Sequence, residues 1–314
     1  MVPFADKLRQ AQLLFSTAFQ EGVEKVKDGV DIFWPQKAEK VSMPGSEEVV
    51  FSYLAEQPQF KKWQGERTAK RLRTQSYSVT TDKYEWSYEL GRDDIKFDKF
   101  GLLQSHPRGA GRASRMFYEK LLNAAQAAGK TTTCVDGQFF YDVDHPQALD
   151  GSGAVFSNLR TGMALNIANI VSGYVIMAGL TDANGDNMGV RPNLLEYGPA
   201  QFDLVRAIFN AEITAAAIAN AVGQELVPVS NTAVRGLITP MLNPNLETGV
   251  WYLHDTRNMM PFLILEEEAP TGMEIRDDPR DPHVWENDAF LFGARARAGA
   301  GYGLPHNSQR NEIA

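Results

Sequence analysis

Cysteine is almost missing from this chain of 314 residues. Cys134 stands alone, so an intrachain disulfide is ruled out, and no Cys/His group has the spacing of a zinc site. Uninterrupted apolar runs of the ~18 residues that a transmembrane helix needs are missing too. The opening MVPFADKLRQAQLL has no charged start leading into an apolar stretch, so a secretory signal is not expected and a cytoplasm-like compartment is. Lysine stops at Lys130. Residues 1–150 balance 21 Lys+Arg against 21 Asp+Glu, whereas residues 151–314 hold 10 against 18. An acidic chain of this kind lacks the clustered cations that sequence-specific nucleic-acid binding needs. Its uneven charge can still make opposite patches meet between copies of itself. No internal repeat is found. With 43% hydrophobic residues, the chain can bury a large core in one domain or two.

The stretch from Pro107 to Gly129 reads as one helix of roughly 30–35 Å. Pro107 fits a helix start, Gly129 fits the stop, and Ala113, Phe117, Leu121, Ala124, Ala125 and Ala128 recur on one face. Residues 3–28 form an earlier helical pattern stopped near Gly29. Residues 29–50, with Pro35, Pro44 and Gly45, read as an irregular peripheral arm. Residues 75–90 alternate strictly on both sides of Thr81-Asp82, which predicts a β-hairpin with an apolar stripe of Tyr77, Val79, Tyr84, Trp86 and Tyr88. An isolated hairpin is marginal in water, so that stripe needs a partner surface. Further on, 161–179 reads as a helix, Ala200–Val222 as a second long helix, Trp251–Leu253 and Phe262–Leu265 as strands, and Phe290–Arg297 as a final strand before a polar tail.

Asp136, Asp142, Asp144 and His145 offer the ligand types of a divalent-metal or acid–base site. No other histidine or carboxylate motif has a supporting spacing, and loop carboxylates commonly cap turns. Gly299-Ala-Gly301-Tyr-Gly303 looks like a phosphate loop only superficially, because Pro305 and polar residues follow it where a helix N-terminus would be required. Cys134, between threonine and valine, reads as a buried small hydrophobe rather than a nucleophile. No serine lies in a GxSxG or SxxK context. The basic run Lys61, Lys62, Arg67, Lys70, Arg71 and Arg73 reads as a partner-facing surface, with Glu266–Glu268, Asp277, Asp278 and Asp281 as the matching sign.

Several patches, in order, resemble the major head subunit family of Mu-like phages. They are Pro58-x-Phe60-x-x-Trp63-x-Gly65-x-Arg67, Arg92-Asp-Asp-Ile-x-x-Asp98-x-x-Gly101, Asp136-Gly-Gln-Phe-Phe140 with Asp144-His145, Gly189-Val-Arg-Pro-Asn-Leu-Leu195, Trp251-Tyr-Leu, Pro261-Phe and Arg297-Ala-Gly-Ala-Gly-Tyr-Gly-Leu304. The resemblance implies an α+β subunit of the Hong Kong 97-type capsid fold. It would have an N-terminal arm (1–57), an extended β-hairpin loop with a peripheral domain (58–159) whose spine is the helix at 107–129, an axial domain (160–265) and a C-terminal return strand and tail (266–314). The implied function is assembly rather than catalysis, without a cofactor: hexamers and pentamers of one chain closing an icosahedral shell around double-stranded DNA, in a virion formed in a bacterial cytoplasm. Scaffolding, portal and decoration proteins would be partners. Arg71, Arg73, Tyr77, Val79, Tyr84, Trp86 and Tyr88 are the expected subunit-interface residues. Two other readings stand beside this one, a soluble metal-dependent enzyme using Asp136, Asp142, Asp144 and His145, and another structural protein of the virion.

Overall fold

The computed structural model describes residues 4–54, 74–97, 104–147, 154–182, 185–210, 213–220, 223–230, 234–257, 259–270, 272–278 and 280–313. Helix α1 (Phe4–Lys25) carries Asp6 in its first turn and Lys25 in its last, the charge order that the helix dipole favours. It packs against α3 (Ser105–Arg115) at very close range. A Cβ on Gly22 would stand 2.1 Å from the Arg108 carbonyl oxygen, and one on Gly111 would stand 2.0 Å from that of Phe19. Two glycines are therefore what let the helix backbones touch. Between them lie β1 (Ala38–Ser42), β2 (Glu48–Leu54), β3 (Thr74–Thr80), β4 (Asp82–Gly91) and the short α2 (Arg92–Lys96).

The helix expected at 107–129 is instead two segments, α3 and α4 (Phe117–Ala128), broken at Met116. The break falls where the chain passes from packing on α1 to packing between the two main sheets. The buried face also differs from expectation. Pro107, Gly111, Ser114, Tyr118, Glu119, Leu122 and Gln126 are buried, whereas Ala113, Ala124 and Ala128 are exposed. Phe117 and Leu121 are half-buried and do pack within their own subunit. The apolar stripe misled because this helix buries polar side chains for their hydrogen bonds. The Glu119 carboxylate, for example, accepts the Phe33 and Trp34 backbone N–H groups at 2.8 and 2.7 Å.

After α4 come β5 (His145–Pro146), β6 (Val155–Phe156), β7 (Leu159–Arg160), α5 (Ile167–Ala178), β8 (Leu194–Tyr197), α6 (Phe202–Asn210), β9 (Ile213–Asn220) and β10 (Gly223–Ser230). The chain closes with β11 (Thr239–Leu242), β12 (Val250–His254), β13 (Phe262–Glu268), β14 (Glu274–Arg276), α7 (Pro282–Asn287), β15 (Ala289–Tyr302) and β16 (Ser308–Glu312). One five-stranded sheet runs β1–β13–β15–β14, with β4 also on β15; the other runs β11–β8–β12–β16–β7. The second sheet has α5 and α6 on one face, over Leu195, Tyr197, Trp251 and Leu253. Its other face, with Val250 and Tyr252, meets α4 and the first sheet at Tyr118, Leu122, Phe262, Ile264 and Tyr302.

Several expectations are corrected here. Residues 74–91 form two strands that do not pair with each other: β3 pairs antiparallel with β2, and β4 with β15. The two-stranded ribbon is therefore 48–54 with 74–80, because the alternation that suggested a hairpin belongs to strands in two separate layers. Residues 29–50 are not wholly irregular, since Ala38–Ser42 lies parallel to β13. The second long helix is only the nine residues Phe202–Asn210, followed by an antiparallel pair in which Ala216 faces Val227. Alanine's helix propensity at 211–219 is a weak prior that the ladder overrides. The polar tail is β16, buried between β12 and β7. On these contacts, Gly111→Val is expected to force α1 away from α3 and cost about 1–3 kcal/mol of stability in urea unfolding.

Candidate functional site

The candidate acid–base or metal group is only partly brought together. Asp136 sits in a tight turn whose Gly137 has φ 86°. Its carboxylate meets His145 Nδ1 at 2.7 Å, with both side chains fully buried. The same carboxylate accepts the Cys134 thiol and the Gln138 backbone N–H, each at 3.1 Å. Cys134, Asp136 and His145 are, among the described residues, the group whose ligand-type atoms lie within 4.8 Å of one another. Asp142 instead caps its own loop, accepting the Val143 N–H at 2.7 Å, and Asp144 is exposed. Burial and the neighbouring Asp136 push the Cys134 thiol well above its ordinary range, so it stays protonated and donates. Asp136 is held below the usual carboxylate range by His145 and its other donors, against the opposing effect of burial. The Asp136 carboxylate thus gathers three donors and ties 134–138 to His145, whose Nε2 is buried without a hydrogen-bond partner among the described residues.

A larger polar group lies where α4, the first sheet and the second sheet meet. Lys37 Nζ reaches Glu196 Oε1 at 2.5 Å, with neither side chain exposed. Glu196 Oε2 accepts Gln126 Nε2 at 2.7 Å and lies 3.0 Å from His254 Nε2; Oε1 accepts Asn243 Nδ2 at 2.6 Å. The chain of bonds continues from His254 Nδ1 to Ser308 Oγ at 3.0 Å and on to the Tyr141 hydroxyl at 2.8 Å. Arg310, on β16, bonds both Glu247 and Tyr252 Oη. Burial raises the pKa of Glu196, but Lys37 and His254 outweigh it and hold the carboxyl far below the ordinary range. Burial lowers the pKa of His254 despite the adjacent carboxylate, which fits a neutral ring donating from Nε2 and accepting at Nδ1. Sequence reasoning passed over these residues, although one signal was present: Glu196 and His254 are the polar members of strands that are otherwise apolar or aromatic, LLEY and WYLH. A buried ionisable group there demands a partner.

The expected interface residues are distributed as follows. Tyr77 and Val79 lie on the inner side of the β2–β3 ribbon, with Val79 3% exposed and Tyr77 beside Tyr302. Trp86 Nε1 donates to Ser114 Oγ at 3.1 Å, and its ring stacks on Phe19 and Tyr88. Tyr88 stacks on Phe292 at 5.2 Å. These four therefore pack on their own subunit. Tyr84 is 36% exposed, edge-on to Phe117 at 4.9 Å. Tyr84, Trp86, Ala113, Phe117, Ala294 and Ala296 line an apolar cleft of about 160 Å³. Arg71 and Arg73 lie outside the described residues.

The family described as "Mu-like prophage major head subunit gpT" matches residues 8–164 and 228–312. The chain is 24% identical to the Mu-like prophage FluMu major head subunit of Haemophilus influenzae over 255 residues, 81% of this chain and 58% of that protein. It is 28% identical to the major capsid protein of Escherichia phage Mu over 290 residues, 91% of this chain and 67% of that one. The chain thus spans about six tenths of the length of one relative and two thirds of the other. Among solved structures, the procapsid of bacteriophage JBD30 is similar with TM-score 0.55 and 19% identity, covering 99% of this chain and 76% of that one. The virus-like particle from Pyrococcus furiosus gives TM-score 0.52 and 7% identity, covering 94% and 96%. The fold is the α+β fold of Hong Kong 97-type capsid subunits.

Two expectations follow from the buried groups. Lys37→Met strands the Glu196 charge and should cost about 3–5 kcal/mol in urea unfolding of the unassembled subunit. Lys37→Met with Glu196→Gln should regain much of that loss. His306 is fully buried, and desolvation lowers its pKa from 6.5 to about 4. As pH falls from 6.5 to 4, the unfolded chain gains a proton that the folded chain refuses. Stability should then decline by roughly 3 kcal/mol across that window from this group, and His306→Gln should flatten the decline in unfolding measured at a series of pH values.

Proposed function

Because the chain belongs to the Mu-like prophage major head subunit gpT family, we propose that it is a major capsid protein that self-assembles through hexamers and pentamers into an icosahedral shell around phage double-stranded DNA. The observation that carries the reading is the family match over both ends of the chain, on a body with the capsid fold. Its place is the shell of a virion assembled in the bacterial cytoplasm, and its role is structural rather than catalytic. The Asp136 carboxylate is already taken up by Cys134, Gln138 and His145, which supports that choice over a metal-dependent enzyme.

In this reading the sheet β11–β8–β12–β16–β7 with α5 and α6 forms the axial domain. The sheet built on β13 and β15, with α3 and α4 as a two-part spine, forms the peripheral domain. The stretch before β2 supplies the arm, and the β2–β3 ribbon the extended loop. Interfaces of about 1,000–2,000 Å² suffice, because closure multiplies many modest contacts. The cleft beside Tyr84 and the basic run ending in Arg71 and Arg73 are proposed contact sites between copies. Packaged DNA is met without sequence preference, since the chain is acidic overall. Scaffolding, portal and decoration proteins are its further partners; the JBD30 capsid is described as decorated with minor capsid protein trimers.

Electron microscopy and size-exclusion chromatography of the expressed chain test this reading. Rings, tubes or shells built of one chain are expected; a small discrete oligomer holding a stoichiometric metal would refute the proposal. If the basic run faces an acidic neighbour, Arg71→Glu with Arg73→Glu should block assembly while leaving the far-ultraviolet spectrum of the subunit unchanged. Normal shells from that variant would remove the charge pairing from the scheme.

A further inference from the structure

The glycine-rich end of β15 has no phosphate to hold, but it does have a visible partner. Arg297, Gly299 and Gly301 follow one another at alternate positions and so share one face of the strand. The opposite face, with Ala298 and Tyr302, belongs to the core against α4. On the glycine face lies the β2–β3 ribbon. A Cβ on Gly299 would stand 1.9 Å from the Thr80 carbonyl oxygen and 3.4 Å from Thr81 Cα. A Cβ on Gly301 would stand 2.4 Å from Val79 Cγ2 and 3.2 Å from Tyr77 Cε1. At Gly299 the obstacle is backbone and cannot turn aside; at Gly301 it is a buried, β-branched side chain with one favoured rotamer.

At the start of this track the ribbon is clamped. Arg297 Nε donates to Thr81 Oγ1 at 3.2 Å and Nη2 meets Glu47 Oε1 at 2.7 Å. The Thr81 N–H donates to the Glu47 carbonyl at 2.9 Å, joining the two ends of the ribbon base. Tyr53, Val135 and Leu263 fill the space beside it, with Phe51, Tyr77 and Leu304 around them. The ribbon is therefore held by a clamp at one end and, from Tyr77 to Thr81, by direct contact with a bare stretch of β15. At its far end Leu54 pairs with Thr74. The sequence of residues 55–73, between the two strands of the ribbon, holds six Lys/Arg against two Glu.

We propose that Gly299 and Gly301 are positioning residues for assembly: the missing side chains seat the ribbon on β15 and so present it at one angle to a second copy of this chain. The proposal rests on the capsid reading above and adds to it the element that sets the direction of the extended loop. A side chain at either position lifts the ribbon without touching the core face of β15, so the subunit folds but offers its loop at the wrong angle.

The test compares wild type, Gly301→Val, Gly301→Val with Val79→Ala, and Ile170→Ala, whose buried side chain lies in the other sheet's core. Each full-length chain is measured for thermal unfolding as a subunit and for particle yield by electron microscopy and size exclusion. Wild-type particles confirm the capsid reading on their own, and their absence would defeat that reading rather than this inference. Given wild-type particles, Gly301→Val is expected to lower particle yield at least tenfold while remaining soluble, and Val79→Ala is expected to restore much of it. Ile170→Ala, destabilised as much or more, should still assemble. Wild-type yield from Gly301→Val overturns the inference. So does an Ile170→Ala loss as large as that of Gly301→Val, which would show a plain stability effect. If Gly301→Val is insoluble, the double variant decides: recovered particles support the seating contact, and continued insolubility overturns it.

Discussion

Lys37 reaches Glu196 across the junction between the two sheets, and neither charge sees solvent. The pair joins the approach to β1 to the middle of β8, and α4 supplies the amides that complete it, Asn123 and Gln126. A buried pair of this kind adds little net stability compared with apolar packing, but it tolerates one relative placement of the parts it joins. The bonds running on through His254, Ser308 and Tyr141 extend that requirement to β12, β16 and the loop after α4. The two layers are thus locked in register by polar geometry, while aromatic packing supplies the cohesion. Phe140, Tyr302 and Phe262 crowd together on the same interface, with Phe140 stacked on Tyr302 at 4.4 Å.

In the buried trio of Cys134, Asp136 and His145, the Asp136 carboxylate gathers the thiol, the Gln138 N–H and His145 Nδ1. The ribbon meets the body through glycines, one arginine clamp and the apolar group around Tyr53, Val135 and Leu263. The contact is close because β15 gives up its side chains on that face. Helices α1 and α3 approach by the same means, through Gly22 and Gly111. At Gly22, Gly111 and Gly299 backbone meets backbone, and at Gly301 a side chain fills the space, so position depends on the absence of a methyl group.

The strands at 251–253, 262–265 and 290–297 and the helix at 167–178 were legible because their apolar periods agree with the local structure that formed. The family resemblance carried the capsid fold through short patches spread along the chain. The helix break at Met116, the shift of its buried face to Tyr118, Glu119, Leu122 and Gln126, and the burial of Ser308–Asn311 were not legible. In each, polar side chains are buried because distant partners satisfy them, and a period of apolar residues cannot register that. The alternation at 75–90 correctly marked strands but could not say that β3 and β4 pair with different partners. Of the candidate site residues, Asp136 and His145 meet, Asp142 and Asp144 stay apart from them, and Cys134 joins in place of a residue chosen by spacing.

By itself the sequence determined the material of this protein: an acidic, nearly cysteine-free chain with period-two strands, amphipathic helices and enough apolar residues for a layered core. Those properties follow from composition and local sterics, which neighbours in the chain settle among themselves. The tertiary structure alone decided which polar groups go inside, which strands share a ladder, and why glycines recur at 299, 301 and 303. Those outcomes depend on contacts between residues far apart in the chain, such as Lys37 with Glu196 and Val79 with Gly301. Burial turns each of them into a requirement for a matched partner or an empty space.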